Sequence, residues 1–345
     1  MASSYLLHPP SHLPPATALQ NAQQAPAILD NSAGSISPSL IGSLLAAPET
    51  AELWTTYENL LLSCLRTEDD KAAHQCLGRL VNRFGDKHER IQALIGLVKE
   101  AEAKDKATLE IVLEEYDQIL RDTPTNIPIA KRRVGLLKSM GRTPDAVLAL
   151  MALLDFCPTD AESWAELSDL YFSQGLYSQA IFALEEVIVL QPNAWNIHAR
   201  LGELLYISGK SGAAQGTSSQ ASSTSSPARQ LAEAMKRFCR SIELCDDYLR
   251  GYYGLKLVTT LLLNEPSVAA PLSSNAKKHN SNNEDDGFNL PDTATIQKLD
   301  ARATEKLAEI VRRNSAKERG WLGYDTDEIT AARELLGEAA PVPPK

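Results

Sequence analysis

The sequence has 345 residues, of which 43% are hydrophobic and 6% aromatic, with 34 basic and 44 acidic residues and a net charge of −10. This length allows two ordinary domains or one elongated repeat array, and the abundance of Ala and Leu favours helix. The negative charge argues against a nucleic acid partner, and without a run of 18 apolar residues we expect no direct membrane span.

The N-terminal arm, residues 1–48, is rich in Pro and Ser, and we expect it to be largely irregular. It lacks the positively charged start and continuous apolar core of a signal peptide. The five cysteines of the chain are an odd number and form no CxxC pair. These features predict a protein of the reducing cytosol.

A period of 34 residues governs the middle of the chain, and its clearest copy is AESWAELSDLYFSQGLYSQAIFALEEVIVLQPNA at 161–194. Glycines and prolines recur at this spacing, at Gly141, Gly175 and Gly209 and at Pro124, Pro158 and Pro192. A helix–turn–helix unit of 34 residues is typical of the tetratricopeptide repeat, which this stretch resembles. The columns of that motif are occupied by Trp164, Leu167, Ser168, Tyr171, Ala180, Leu184 and Pro192. The pattern predicts an all-α fold, a tetratricopeptide-repeat superhelix (α-solenoid).

The repeat array is expected over residues 49–315, because at least three stacked repeats are needed to bury both faces of each helix pair. The predicted repeats cover 54–87, 88–126, 127–160 and 161–194, and a fifth has its second helix after an insertion. Two polar insertions, 210–228 and 264–291, are expected to be disordered. The C-terminal tail, 316–345, has a possible short helix over 326–337, which is a candidate for docking on a partner.

No pattern of catalytic or metal-binding residues emerges, so we predict a protein that is not an enzyme and has no cofactor or metal. The sequence LLYISGKS at 204–211 resembles the end of a phosphate-binding loop, but Leu204 stands where that motif needs its first glycine. His198 occupies the column held by Trp164 one repeat earlier, which indicates a packing histidine. The cysteines are interpreted in the same way, as core residues.

The concave face of the array is the predicted partner-binding surface, since repeat positions 2, 5, 9 and 12 of each first helix point into it. The predicted residues of this surface are Lys131, Lys138, Asp169, Phe172, Glu203, Tyr206, Arg250 and Tyr253. Three of them are aromatic, a residue class enriched at interface hot spots. The alternative is that the N-terminal arm or an inserted loop covers these aromatic side chains.

Two functional classes compete for such a protein: an adaptor that binds the acidic tail of a chaperone, and a scaffold that holds subunits of a complex. The chaperone-binding clamp needs Lys, Asn, Asn, Lys and Arg at set repeat positions. This sequence offers Lys131, Gly135, Glu166, Asn196 and Arg200 there. Two of the five positions fit, and Glu166 would repel a carboxylate, so the adaptor is the weaker hypothesis.

The stretches EEYDQILRDTPTN, the repeat at 161–194 and RGYYGL near residue 250 resemble the family of the second subunit of the endoplasmic reticulum membrane protein complex. The similarity spans about 54–263. It implies a non-catalytic scaffold, peripheral on the cytoplasmic face of the endoplasmic reticulum membrane, that supports membrane protein insertion. The implied partners are other subunits of that complex, including cytosolic ends of membrane subunits and an MPN-like cytosolic subunit.

Overall fold

The computed structural model describes residues 4–9, 13–31, 50–215, 227–264, 291–318, 321 and 323–338. Within these ranges all regular secondary structure is helical, which confirms the predicted all-α fold. No helix in the described part of the chain combines the length and apolarity needed to cross a bilayer. The single array predicted over 49–315 is divided after Cys157 into two compact units, Met1–Cys157 and Pro158–Lys345.

The described residues of the first unit form nine helices. These are α1 (Ser4–Leu7), α2 (Pro15–Gln23), α3 (Ala25–Asn31), α4 (Ala51–Arg66), α5 (Asp70–Phe84), α6 (Glu89–Glu102), α7 (Lys106–Asp122), α8 (Ile127–Ser139) and α9 (Thr143–Phe156). The predicted repeats at 54–87, 88–126 and 127–160 correspond to the pairs α4–α5, α6–α7 and α8–α9. Side chains of Asp69, Asp105 and Asn126 accept hydrogen bonds from backbone N–H groups and so cap α5, α7 and α8.

The N-terminal arm differs from the expected irregular segment, because residues 4–31 contain three helices that pack on the repeats. Leu6 and Leu29 are buried in the same core as Tyr57. Asn59 donates a hydrogen bond of 2.7 Å to the backbone carbonyl of Leu6, and Arg79 donates to the carbonyl of Leu29. This packing could not be predicted from the sequence, because helices of four to nine residues are too short to show a helical period. The remaining part of the arm, 32–48, lies outside the described residues.

The described residues of the second unit form seven helices. These are α10 (Ala161–Ser173), α11 (Tyr177–Leu190), α12 (Trp195–Gln215), α13 (Pro227–Leu244), α14 (Leu249–Asn264), α15 (Thr293–Ala316) and α16 (Thr326–Glu338). One hydrophobic core runs from Ala180 on α11 to Leu335 on α16, and partly buried side chains of α10 pack against it. The tetratricopeptide pairs are α10–α11 and α12–α13, and the last three helices continue the packing.

The 34-residue period has a direct counterpart in the hydrogen bonds of the second unit. Trp164 Nε1 donates to the carbonyl of Pro158 at 2.8 Å, and His198 Nε2 lies 3.0 Å from the carbonyl of Pro192. Since a carbonyl only accepts, His198 carries its proton on Nε2 in this contact. His198 is buried, as predicted for a packing histidine, whereas Trp164 is only partly buried against the core. Gly175 has φ +73° in the turn between α10 and α11, a conformation that favours glycine.

Both edges of the first predicted insertion, 210–228, are helical. Helix α12 continues past Gly209 to Gln215, because Gly209 is buried against Leu231 of α13 and therefore does not form a turn. The other edge of the first insertion is also helical, since α13 begins at Pro227. The rest of this segment, 216–226, and most of the second one, 265–290, lie outside the described residues.

The C-terminal helix α16, which the sequence offered as a candidate for docking on a partner, packs on its own chain. Its residues Ile329 and Ala332 are buried in the core of the second unit. Helix α15 is joined to α14 by an ion pair of 2.8 Å between Lys256, which is buried, and Asp300. Helices α15 and α16 are therefore integral parts of the second unit.

Candidate functional site

A cavity of about 230 Å³ opens in the second unit. It is lined by Asn196, Ala199, Arg200, Glu203, Tyr206, Phe238, Tyr248, Arg250, Tyr253, Gly254 and Leu257. We call this cavity the groove. Helices α12 and α14 supply most of the lining, while α13 and the loop before α14 supply one residue each.

The two lining helices contribute side chains at the same helical spacing. On α12 the lining begins at Asn196 and continues at offsets of three, four, seven and ten residues. On α14 it begins at Arg250 and continues at offsets of three, four and seven. Residues at these offsets lie on one face of a helix, so each helix presents a single stripe to the groove.

Phe238 of α13 lies against glycines of both lining helices. A Cβ atom on Gly202 of α12 would lie 3.0 Å from its ring, and one on Gly254 of α14 would lie 2.1 Å from it. Only glycine allows the backbone of α14 to approach the ring this closely. The ring is thereby held between α12 and α14, where it contributes to the apolar lining of the groove.

Arg200 lies at one polar end of the groove and contacts three side chains there. Its guanidinium donates hydrogen bonds to Glu203 at 2.7 Å and to Asp169 of α10 at 3.0 Å. It also lies over the ring of Phe172, 4.9 Å from the ring centroid, which is a cation–π contact. One arginine therefore connects three of the residues predicted for the concave face.

Arg250 marks the other polar end and is held by the C-terminal helix. Its Nε donates a hydrogen bond of 2.7 Å to Glu328 of α16, and this bond raises the pKa of Arg250 above its ordinary value. Next to it, Tyr324 accepts a bond of 3.1 Å from the backbone N–H of Leu249 and donates one to the carbonyl of Asp247. These contacts fix the chain on both sides of Tyr248.

The structure brings together part of the predicted surface. Glu203, Tyr206, Arg250 and Tyr253 all line the groove. Asp169 and Phe172 contact it through Arg200. Lys131 and Lys138 lie on α8 of the first unit and are not part of this groove.

The aromatic side chains of the predicted surface are partly buried rather than fully exposed. Phe172, Tyr206 and Tyr253 all pack against the core of the second unit. Two of them are additionally covered by cations of α12: Arg200 lies over Phe172, and Lys210 lies 5.9 Å from the centroid of Tyr206. In the part of the chain that the structure describes, both covering cations, Arg200 and Lys210, belong to helix α12.

Sequence reasoning missed several groove residues. Phe238 lies on α13, outside the first-helix positions from which the prediction was made. Tyr248 precedes α14 and has its pKa raised by burial. Glu328 is 78 residues from its partner Arg250 in the chain, and no local pattern signals that pairing.

In the described ranges, no three His, Cys, Asp or Glu residues are arranged to hold a metal ion.

Comparisons with known proteins agree with this architecture. The family model described as "EMC2 TPR-like repeat domain" matches residues 76–212. The chain is 34% identical over 212 residues to the TPR repeat protein oca3 of Schizosaccharomyces pombe, covering 61% of this chain and 68% of that protein. It is 28% identical over 228 residues to ER membrane protein complex subunit 2 of Xenopus tropicalis, covering 66% and 69% of the two chains. It is 26% identical over 237 residues to ER membrane protein complex subunit 2 of Saccharomyces cerevisiae, covering 66% and 78%.

Proposed function

Because the chain belongs to the family of ER membrane protein complex subunit 2, we propose that it is a non-catalytic subunit of that complex. In this role it is peripheral on the cytoplasmic face of the endoplasmic reticulum membrane. It supports the insertion of membrane proteins by holding cytosolic parts of other subunits, among them an MPN-like subunit and the ends of membrane-spanning chains.

The observation that carries the scaffold proposal is the groove. Its lining combines aromatic and aliphatic side chains with two arginines and a carboxylate. Apolar anchors with a polar rim are the composition of protein–protein hot spots. The volume of about 230 Å³ lies below the range typical of small-molecule sites, so the groove suits one or two anchoring side chains of a polypeptide. Lys131 and Lys138 of α8 belong to the proposal as partner contacts of the first unit.

The pairing of the arginines favours the scaffold over the chaperone adaptor. A chaperone tail would present carboxylates, which need cations available to bind them. Arg200 already holds Asp169 and Glu203, and Arg250 already holds Glu328. Both guanidiniums keep further N–H donors, but protein carboxylates already neutralise their charge, so an acidic tail gains little electrostatic attraction there.

Affinity purification of the tagged full chain from detergent-solubilised membranes tests the proposal. Membrane-spanning subunits and a cytosolic subunit should be recovered in a fixed ratio to the bait, as determined by quantitative mass spectrometry. Recovery of cytosolic chaperones without membrane subunits would instead support the adaptor. The matched control is Phe182→Ala, which removes an exposed aromatic side chain of α11 outside the groove and should leave the recovered set unchanged.

A further inference from the structure

The arrangement of charge at the groove differs between its two ends. At the Arg200 end the carboxylates are the exposed partners, since the side chains of Asp169 and Glu203 are 63% and 50% exposed. The guanidinium between them is 31% exposed and is covered by the ring of Phe172 on one side. This end therefore presents negative charge to a bound segment.

At the Arg250 end the positive charge is neutralised by a residue that α16 fixes in place. The Glu328 side chain is 23% exposed, and its helix is anchored by the buried Ile329 and by the two backbone hydrogen bonds of Tyr324. The paired Arg250 is 68% exposed, so it is accessible to a segment, but its charge is already matched. The paired residues at the two ends are two guanidiniums and three carboxylates, a formal charge of −1, and the cation of Lys210 lies away from them over Tyr206.

We propose that the groove selects a segment in which an apolar side chain stands next to Lys or Arg, and that Glu328 is a specificity-determining residue because it prevents Arg250 from capturing a carboxylate. This inference rests on the proposed function. The occupant is the cytosolic flank of a membrane-spanning subunit, since such flanks carry an excess of Lys and Arg. The basic residue lies at Asp169 and Glu203, and the apolar side chain lies among the aromatic residues of the groove.

Photo-crosslinking in the assembled complex tests this assignment. The full chain carries p-benzoylphenylalanine in place of Leu257, which lines the groove, and is expressed in cells that lack the parent protein. After irradiation of membranes, mass spectrometry identifies the attached peptide. A segment of another subunit with net positive charge within about five residues of the attachment point is the expected result.

Other outcomes separate this inference from the scaffold proposal. Attachment to a subunit segment that is neutral or acidic would overturn the charge preference and leave the scaffold function standing. An assembled complex in which position 257 attaches to no other subunit would overturn the assignment of the groove, whereas failure of the chain to co-purify with membrane subunits would overturn the proposed function itself.

Charge variants test the role of Glu328 in the same assay. Glu328→Gln releases Arg250, and we expect it to lower the yield of the basic segment about two- to five-fold, the range for one partly exposed ion pair. Glu328→Asp should retain most of the yield. The control Glu243→Gln removes another ion pair of the second unit, with Arg240 at 2.8 Å, that does not line the groove. Equal yields for Glu328→Gln and this control would show that Glu328 does not set the preference.

Discussion

Replacing Gly254 with alanine should disturb the packing beneath the groove. The new Cβ would lie 2.1 Å from Cε1 and 2.2 Å from Cζ of Phe238, although carbon atoms pack best at about 3.5–4.0 Å. The ring has little room to move, because it also packs on Gly202 of α12 so closely that a Cβ added there would lie 3.0 Å from it. Overpacking of this kind costs about 1–3 kcal/mol, while the exchange of glycine for alanine within a helix contributes about 1 kcal/mol in the opposite direction. The expected net destabilisation is about 0–2 kcal/mol.

The control Gly78→Ala separates the two contributions. Gly78 lies within α5, is exposed, and has no neighbouring atom within 4 Å of the added Cβ. Only the gain in helix propensity remains there, so this variant should be more stable than the parent by about 0.5–1 kcal/mol. Urea titrations of the full chain, followed by circular dichroism, measure both variants, each in the transition of its own unit. If Gly254→Ala stabilised its unit as much as Gly78→Ala does, the close packing of α14 on Phe238 would be wrong.

Three further predictions concern buried polar groups of the second unit. Lys256→Met should lower the free energy of unfolding by about 3 kcal/mol, because it leaves Asp300 without its buried cation. Adding Asp300→Asn should recover much of this loss. Equal losses in urea titrations of the single and double variants would argue against the ion pair. Tyr324→Phe should cost about 1–3 kcal/mol through the loss of two backbone hydrogen bonds, and an unchanged urea midpoint would show that the C-terminal segment is anchored elsewhere. Burial lowers the pKa of His198 below 6.5, so the unfolded state binds more protons below that pH and stability should fall from pH 7 to pH 5. His198→Gln should show a smaller fall in the urea midpoint over this interval, and the same fall as in the parent would exclude His198 as a source.

The 34-residue period predicted the repeat helices well, because each repeat is specified by local spacing. Ala146 and Ala180, one period apart, are both fully buried, as small residues at the closest approach of two helices should be. The aromatic and charged residues of α12 and α14 were also predicted as one surface, since a known repeat fixes which helical positions face inward. Local periodicity therefore accounts for the helix pairs and for the placement of four of the eight predicted surface residues in one groove, whose role in binding stays a prediction.

Features that depend on contacts distant in sequence could not be predicted in this way. The pairing of Arg250 with Glu328 and the docking of Leu6 near Asn59 join segments 78 and 53 residues apart. The continuation of α12 beyond Gly209 depends on the packing of that glycine against α13, which the repeat pattern does not encode. The division of the chain after Cys157 could not be predicted from the repeat spacing either, because prolines and glycines recur every 34 residues on both sides of it.

The measurement that tests the groove most directly compares stability and partner recovery in one variant. Tyr206→Ala combined with Tyr253→Ala removes two partly buried aromatic side chains that line it, and Phe182→Ala serves as the control outside it. Partner subunits recovered with the tagged chain from solubilised membranes are quantified, and melting of the purified chain is followed by circular dichroism. We expect the double variant to weaken partner association by roughly 2 kcal/mol or more and, because both rings also pack against the core, to melt at a lower temperature while remaining folded. Full recovery of every membrane and cytosolic partner with the double variant would contradict the assignment of the groove as the interface.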